Sequence, residues 1–244
     1  MNTAQIISII ISIAAFGVAA YGIIERRLGA RRSERVRLTT IVENLTKVRL
    51  ELLELVAKGQ TIGDVVEAVN TRVEVLSQQA LSLIQEHSLT VTSTECREVA
   101  YALYLAGYQD DAEFMWGLAR ERAQKEGDTQ ELYAGRGYAY FLFNTQRESE
   151  AREILQEGLS NHETNTESAS LAHTLTLKQW IYYEAQAQGP EAKLVAELTE
   201  RAARLESNFS SMAGKAKFKE VIESGNVVIH IEKAALDGGQ PQQQ

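Results

Sequence analysis

The chain has 244 residues, 44% of them hydrophobic and 24% charged, proportions of an ordinary folded protein that exclude wholesale disorder. It contains two prolines, Pro190 and Pro241, which favours long helices over strand-and-turn architecture, and one cysteine, Cys96, which excludes an internal disulfide or a multi-cysteine metal cluster. The net charge of -8 is uneven: residues 25–37 set six arginines against two glutamates, a local +4, and the acidic remainder is unsuited to nucleic acid.

Residues 1–4 form a short uncharged leader, and Gln5 to Ile24 reads QIISIIISIAAFGVAAYGII, twenty residues without a charge. At the helical rise that length spans roughly 30 Å, the hydrocarbon thickness of a bilayer, so a transmembrane helix is expected over 5–24. A cleaved signal peptide places its positive charge before the apolar stretch, whereas here Arg26, Arg27, Arg31, Arg32, Arg35 and Arg37 follow it. The positive-inside bias then leaves the N-terminus outside and the body in the cytoplasm, with a bacterial plasma membrane as the expected location. The arginines of the juxtamembrane segment, 25–37, are placed to meet anionic lipid headgroups. Within the span Ser8, Ser12, Ala15, Ala19 and Gly22 recur at four, three, four and three, a small-residue seam suited to helix self-association and hence to a homo-oligomer.

After a possible loosening at Gly29, a helix is expected from Ser33 to Lys58, with Leu38, Ile41, Leu45, Val48, Leu52 and Leu55 in a heptad pattern. Leu50, Leu53 and Val56 widen its apolar face, which favours packing within the chain over an intermolecular coiled coil. A second helix from about Ile62 puts Val66, Val69, Val73, Leu76, Ala80 and Leu83 on one face, so residues 38–88 read as a helical hairpin.

Downstream, Thr92-x-x-Glu95, Asp110-x-x-Glu113, Asp128-x-x-Glu131 and Thr164-x-x-Glu167 have capping-box form. Together with Pro190 as a first-turn proline, they divide the body, 92–223, into helices near 93–106, 111–126, 129–145, 148–160, 165–187, 190–206 and 211–223. The segment Val227 to Ile231 is open between strand and helix, and the tail 224–244 ends in a stretch that reads as disordered. Cys96 sits in an apolar-periodic run and reads as a buried, reduced thiol.

A shift of 39 residues superposes Arg97 on Arg136, Ala100 on Ala139, Tyr101 on Tyr140, Leu103 on Leu142, Tyr104 on Phe143, Ala112 on Ala151 and Trp116 on Leu155. Small residues at Ala100 and Ala112, and again at Ala139 and Ala151, let the helices of a pair cross closely. This pattern resembles the tetratricopeptide-repeat superfamily over roughly residues 93–206, with departures: Cys96 or Gly135 stands where the family has a large residue, the spacing exceeds its usual period, and its terminal proline is missing. The resemblance implies a concave groove lined by the first helix of each pair, which here brings forward Arg97, Tyr101, Tyr104, Arg136, Tyr140 and Asn144, with Thr94, Leu105, Tyr133 and Phe143 beside them. Arginine flanked by tyrosine suits an acidic peptide or a carboxyl terminus. The other reading is that the tyrosines pack against residues 33–87 and the arginines cover them.

No catalytic motif is present: there is no phosphate-binding glycine loop and no nucleophile elbow, and the histidines His87, His162, His173 and His230 are scattered. His87 and His162 read as solvated helix-end residues and His173 as a structural one. No cofactor and no metal is expected. The fold expected is all-α: an anchor helix, a hairpin and a stack of antiparallel helix pairs. The function expected is a membrane-tethered cytoplasmic adaptor that captures a protein partner, not an enzyme. The alternative is a self-associating signalling or regulatory subunit acting through its transmembrane and heptad helices.

Overall fold

The computed structural model describes residues 25, 29–52, 54, 63–87, 89–187 and 192–224. Among them every regular element is a helix and none is a strand, so the all-α class holds. The transmembrane segment 5–24 with Ser8, Ser12, Ala15, Ala19 and Gly22, together with Arg26, Arg27, Leu55, Pro190 and Val227 to Ile231, lies outside the described residues. Among the described residues no helix is long and apolar enough to cross a membrane.

Helix α1 covers 29–52 and keeps Gly29, read as a loosening, in helix, so it begins several residues before Ser33. Leu38, Ile41, Leu45 and Val48 are all at most 5% exposed. This heptad face is therefore buried inside the chain, which is the packing its width favoured. Leu50, read as widening that face, is instead 52% exposed. Helix α2 (Gly63–His87) buries Val73, Ala80 and Leu83 on its expected stripe and adds Leu81 and Ile84. Ion pairs fasten α1 on two sides: Arg72 of α2 lies 3.8 Å from Glu51, and Arg49 lies 3.0 Å from Glu98 on the next helix.

The body continues through α3 (Ser93–Leu105), α4 (Gln109–Glu126), α5 (Asp128–Asn144), α6 (Glu148–Asn161), α7 (Glu167–Gln186) and α8 (Ala192–Arg204). A 3-10 turn at Leu205–Asn208 and α9 (Met212–Ser224) complete it. Each boundary lies within about two residues of the sequence expectation, but the caps differ. Thr92 forms the full capping box, accepting from the Glu95 amide at 3.2 Å while the Thr92 amide donates to Glu95 Oε2 at 2.9 Å. Asp110 and Asp128 are not caps; α4 starts two residues and α5 one residue earlier than a cap at those positions requires, from Tyr108 and Gly127. Both aspartates lie instead in the first turn, where a negative charge faces the positive end of the helix dipole. At α7 the cap is Thr166, whose hydroxyl accepts from the Ala169 amide at 3.1 Å, not Thr164.

Helices α3, α5 and α7 touch in succession and make one layer, while α4, α6 and α8 each pack against the helix before them. The close crossing rests on alanine: Ala100, Ala112, Ala119, Ala139 and Ala151 are all fully buried, with Met115, Trp116, Leu103, Leu142 and Leu155 filling the spaces between them. The 39-residue repeat is visible in the backbone. In the α3–α4 turn the amides of Gly107 and Tyr108 donate to Tyr104 O and Leu103 O; in the α5–α6 turn those of Gln146 and Arg147 donate to Phe143 O and Leu142 O. Both turns are Schellman motifs, which satisfy the last carbonyls of a helix and reverse the chain.

Helix α7 follows a different rule. It buries Ser170, His173, Thr174, Thr176 and Glu184 along with Leu177 and Trp180, because α5 and α6 lie on one side of it and α8 and α9 on the other. Thr174 and Thr176 satisfy their hydroxyls on the carbonyls of Ser170 and Ala172, four residues back, and so carry no unmet polar group inward.

Candidate anion-binding cavity

Residues three and four apart share a helix face, so Arg97, Tyr101 and Tyr104 form one stripe of α3, and Arg136 and Tyr140 one stripe of α5. The contact between α3 and α5 brings these stripes together. Tyr101 and Tyr140 meet with ring centroids 6.1 Å apart, and Tyr104 meets Tyr140 edge-on at 6.2 Å. The guanidinium carbons of Arg97 and Arg136 both lie over the ring of Tyr133, at 5.6 and 4.8 Å from its centroid, a cation–π arrangement that holds two like charges on one aromatic platform.

Four of the six expected groove residues, Arg97, Tyr101, Arg136 and Tyr140, line a single cavity of about 360 Å³. Tyr104 and Asn144 do not. Tyr104 packs edge-on against Tyr140 and Phe141, and Asn144 turns its Nδ2 back to donate to the Tyr140 carbonyl at 2.8 Å. The rest of the wall comes from Arg49, Glu98, Trp116, Tyr133, Gly137 and Gln179.

Arg49 belongs to α1, and its guanidinium lies 5.9 Å from the Tyr101 centroid. No periodicity marked it, since its place in the site follows only from the docking of α1 on α3. Trp116 was legible as a core aromatic of the repeat but not as part of a cavity wall. It gets there because Gly137 of α5 leaves room: a Cβ on Gly137 would lie 2.5 Å from Trp116 Cη2. Tyr101 thus both lines the cavity and lies against Arg49 of α1.

The wall carries three arginines and one glutamate, a formal +2 inside a chain of net charge -8. Glu98 is committed to Arg49 at 3.0 Å. Arg97 Nη2 donates to Thr94 Oγ1 at 3.1 Å. Burial first, and then the neighbouring Arg136 charge, hold the Arg97 guanidinium below its ordinary pKa, against the pull of Glu98 and Tyr133. Among the wall residues, Arg49 Nε, Arg97 Nε and Trp116 Nε1 are buried N–H groups with no acceptor. Three arginines on one wall make it electropositive, which suits an anionic group.

The described arginines of residues 25–37 separate. Arg31, Arg32 and Arg37 are exposed, whereas Arg35 is drawn onto the body by Glu95, 2.7 Å away. Arg35 is thus a strut between α1 and α3, because the carboxylate that closes the Thr92 box has a second oxygen to offer it. Among the described residues no group of three histidine, cysteine or carboxylate side chains could hold a metal. Cys96 is fully buried, and burial pushes its thiol up to about 12, so it is an inert core residue as read from the sequence. His162, read as solvated, is only 6% exposed: it ends α6 but faces His173, ring centroids 5.9 Å apart. No protein-family model, curated protein or solved structure matches the chain.

Proposed function

We propose that the protein is a membrane-tethered interaction module, with a cytoplasmic tetratricopeptide-like body that captures an acidic segment of a protein partner between α3 and α5. The observation that carries this reading is the convergence of Arg97, Tyr101, Arg136 and Tyr140 on one cavity. Two arginines from successive pairs offer forked contacts to a carboxylate, and the tyrosines offer rigid apolar area at low entropic cost. The tether is the uncharged stretch Gln5 to Ile24 followed by basic residues, which fixes the body on the cytoplasmic face. Arg31, Arg32 and Arg37 stand exposed near the start of α1, where anionic lipid would meet them. Binding, not catalysis, is the role this site chemistry suits: it holds cations and donors without a paired nucleophile and base. Self-association through α1 is the weaker reading, because its heptad face is occupied by the chain's own core.

The test is affinity capture from detergent-solubilised membranes with the wild type and with Arg97→Glu/Arg136→Glu. Loss of the captured partner at unchanged helical circular dichroism is the expected result. Equal recovery by the double variant overturns the groove. Digestion of the body by protease added outside intact cells overturns the topology.

A further inference from the structure

We infer that the groove is occupied in the resting protein by the chain's own segment 227–232, held in cis across α7, α5 and α3, and that a partner's acidic segment binds by displacing it. This rests on the peptide-capture reading above and names how that site is regulated. Four observations carry it.

The first is an aromatic strip that continues from the cavity. Tyr140 of the cavity wall meets Tyr104 and Tyr183, with ring centroids 6.2 and 5.4 Å apart. Tyr183 in turn meets Phe143 at 5.5 Å and Tyr182 at 5.7 Å. Tyr104, Phe143 and Tyr182 are only half-buried by these contacts, so three successive helices offer one ring-lined face. The second is engagement: Tyr101, Arg136, Tyr140, Tyr182 and Tyr183 each hold an interaction beyond those given above. This face is engaged from within the chain, as a cis occupant requires.

The third is the point of entry. Helix α9 packs on α7, and Lys178 Nζ donates to the Ile222 carbonyl at 2.5 Å. Lys178 adjoins Gln179, a wall residue whose Nε2 donates to the Tyr183 hydroxyl. The chain beyond Ser224 therefore starts beside the α7 end of the strip. Two helix spacings separate α7 from α3, about 20 Å, and residues 225–232 reach roughly 26 Å when extended. The fourth is the order of the sequence. Val227, Val228, Ile229 and Ile231 are β-branched and favour extended backbone, in which Val227, Ile229 and Ile231 share one face. Glu232 follows them. Aliphatic side chains come first and a carboxylate next, the order in which a chain leaving α9 meets the rings and then the wall of Arg49, Arg97 and Arg136.

The test uses the full chain in detergent micelles. Ile229→Cys is combined in turn with Tyr104→Cys, Phe143→Cys or Tyr182→Cys, and with the exposed Ser160→Cys on α6 as control. Cys96 is fully buried and stays out of the reaction. Mild oxidation is expected to close a disulfide within one chain in at least one of the three groove pairs and not in the control. In a second measurement a labelled peptide of residues 225–237 is added in trans. It is expected to bind Ile229→Asp/Ile231→Asp about tenfold more tightly than the wild type, whose own segment competes. Adding Arg97→Glu/Arg136→Glu is expected to weaken that binding about tenfold at unchanged circular dichroism.

Disulfides that join two chains give the groove to a second copy and overturn the cis occupant. No disulfide in any groove pair, with equal peptide binding by the wild type and the aspartate variant, overturns the inference; a loss on arginine reversal would then leave acidic-peptide capture standing. A disulfide within the chain, with peptide binding indifferent to arginine reversal, keeps the segment in the groove and overturns the acidic-peptide reading.

Discussion

Gly107 and Gln146 hold the same left-handed place in two Schellman turns 39 residues apart, at φ 87° and 63°. The glycine adopts that conformation without strain, while the glutamine bears the clash of its Cβ, on the order of 1 kcal/mol. Substitutions at the two sites should therefore act in opposite directions. Gln146→Gly is expected to stabilise by up to about 1 kcal/mol, less the extra freedom glycine gives the unfolded chain, and Gly107→Ala to destabilise by about 1 kcal/mol. In thermal unfolding the corresponding shifts are about 2–4 °C each for a chain of this size. Shifts of the same sign would show that the two turns are not equivalent.

The equivalence also shows why some of the fold was legible and some not. Ala100, Ala112, Ala139 and Ala151 recur in the sequence because a close helix crossing admits no larger side chain, and all four are fully buried. Thr92 was legible because a capping box is made by residues three apart. Asp110 and Asp128 carry the same local pattern, but the tight turns before them set the helix start two residues and one residue early, a constraint the local pattern does not contain. In the same way Arg97 and Arg136 lay on readable stripes, whereas Arg49 and Gln179 reach the cavity through the docking of α1 and α7. Their sequence neighbours hold no trace of that docking. Glu95 acquired its second role, as partner of Arg35, for the same reason.

Gly137 and Trp116 give a sharper test of the cavity wall. A Cβ on Gly137 would stand 2.5 Å from both Cη2 and Cζ3 of an indole that is 4% exposed. Gly137→Ala is expected to cost about 1–3 kcal/mol through overpacking and to shift the tryptophan emission. Gly135 sits two residues earlier in the same helix, and its added Cβ would meet only Ile154 Cγ2 at 3.5 Å, an ordinary contact. Gly135→Ala should instead stabilise by about 1 kcal/mol, the helix-propensity difference between the two residues. Equal melting shifts for the two variants would show that Trp116 does not press on Gly137.

Glu184 is fully buried and is held by Arg152 through two hydrogen bonds, Nε to Oε2 at 3.0 Å and Nη2 to Oε1 at 2.7 Å. Removing one partner leaves the other charge partly desolvated, which costs about 3–5 kcal/mol in such sites. Glu148 lies 3.5 Å from the same Arg152 nitrogen and retains part of the compensation, so Glu184→Gln should fall near the lower end of that range. The isosteric pair Arg152→Met/Glu184→Leu, which buries no charge, should recover most of the loss. A chemical-denaturation cycle over the wild type, Arg152→Met, Glu184→Leu and their double variant measures the coupling, and additive losses would show that the forked pair contributes nothing of its own.

His162 and His173 provide a pH dependence whose sign can be worked out. Burial first, then the neighbouring His162 and Arg201, lower His173 to about 4, and burial lowers His162 against the opposing pull of Asp128. The ring of His162 has Thr129 Oγ1 at 3.4 Å from Nε2, while Nδ1 of each histidine is buried without a hydrogen-bond partner. Between pH 6.5 and about 4 the unfolded chain binds protons that the folded chain refuses, so stability rises with pH across that window and is fully present above it. Acidification to pH 4 should cost on the order of 3 kcal/mol through His173 alone, at roughly 1.4 kcal/mol for each pH unit of the window. Glu95 and Glu167, whose carboxyls are held below their usual range, lose their contributions only below about pH 4.5, so the interval from 6.5 to 5 isolates the histidines. Urea midpoints of the wild type should fall across that interval, and those of His173→Gln should fall much less. An unchanged slope in the variant would assign the acid sensitivity elsewhere.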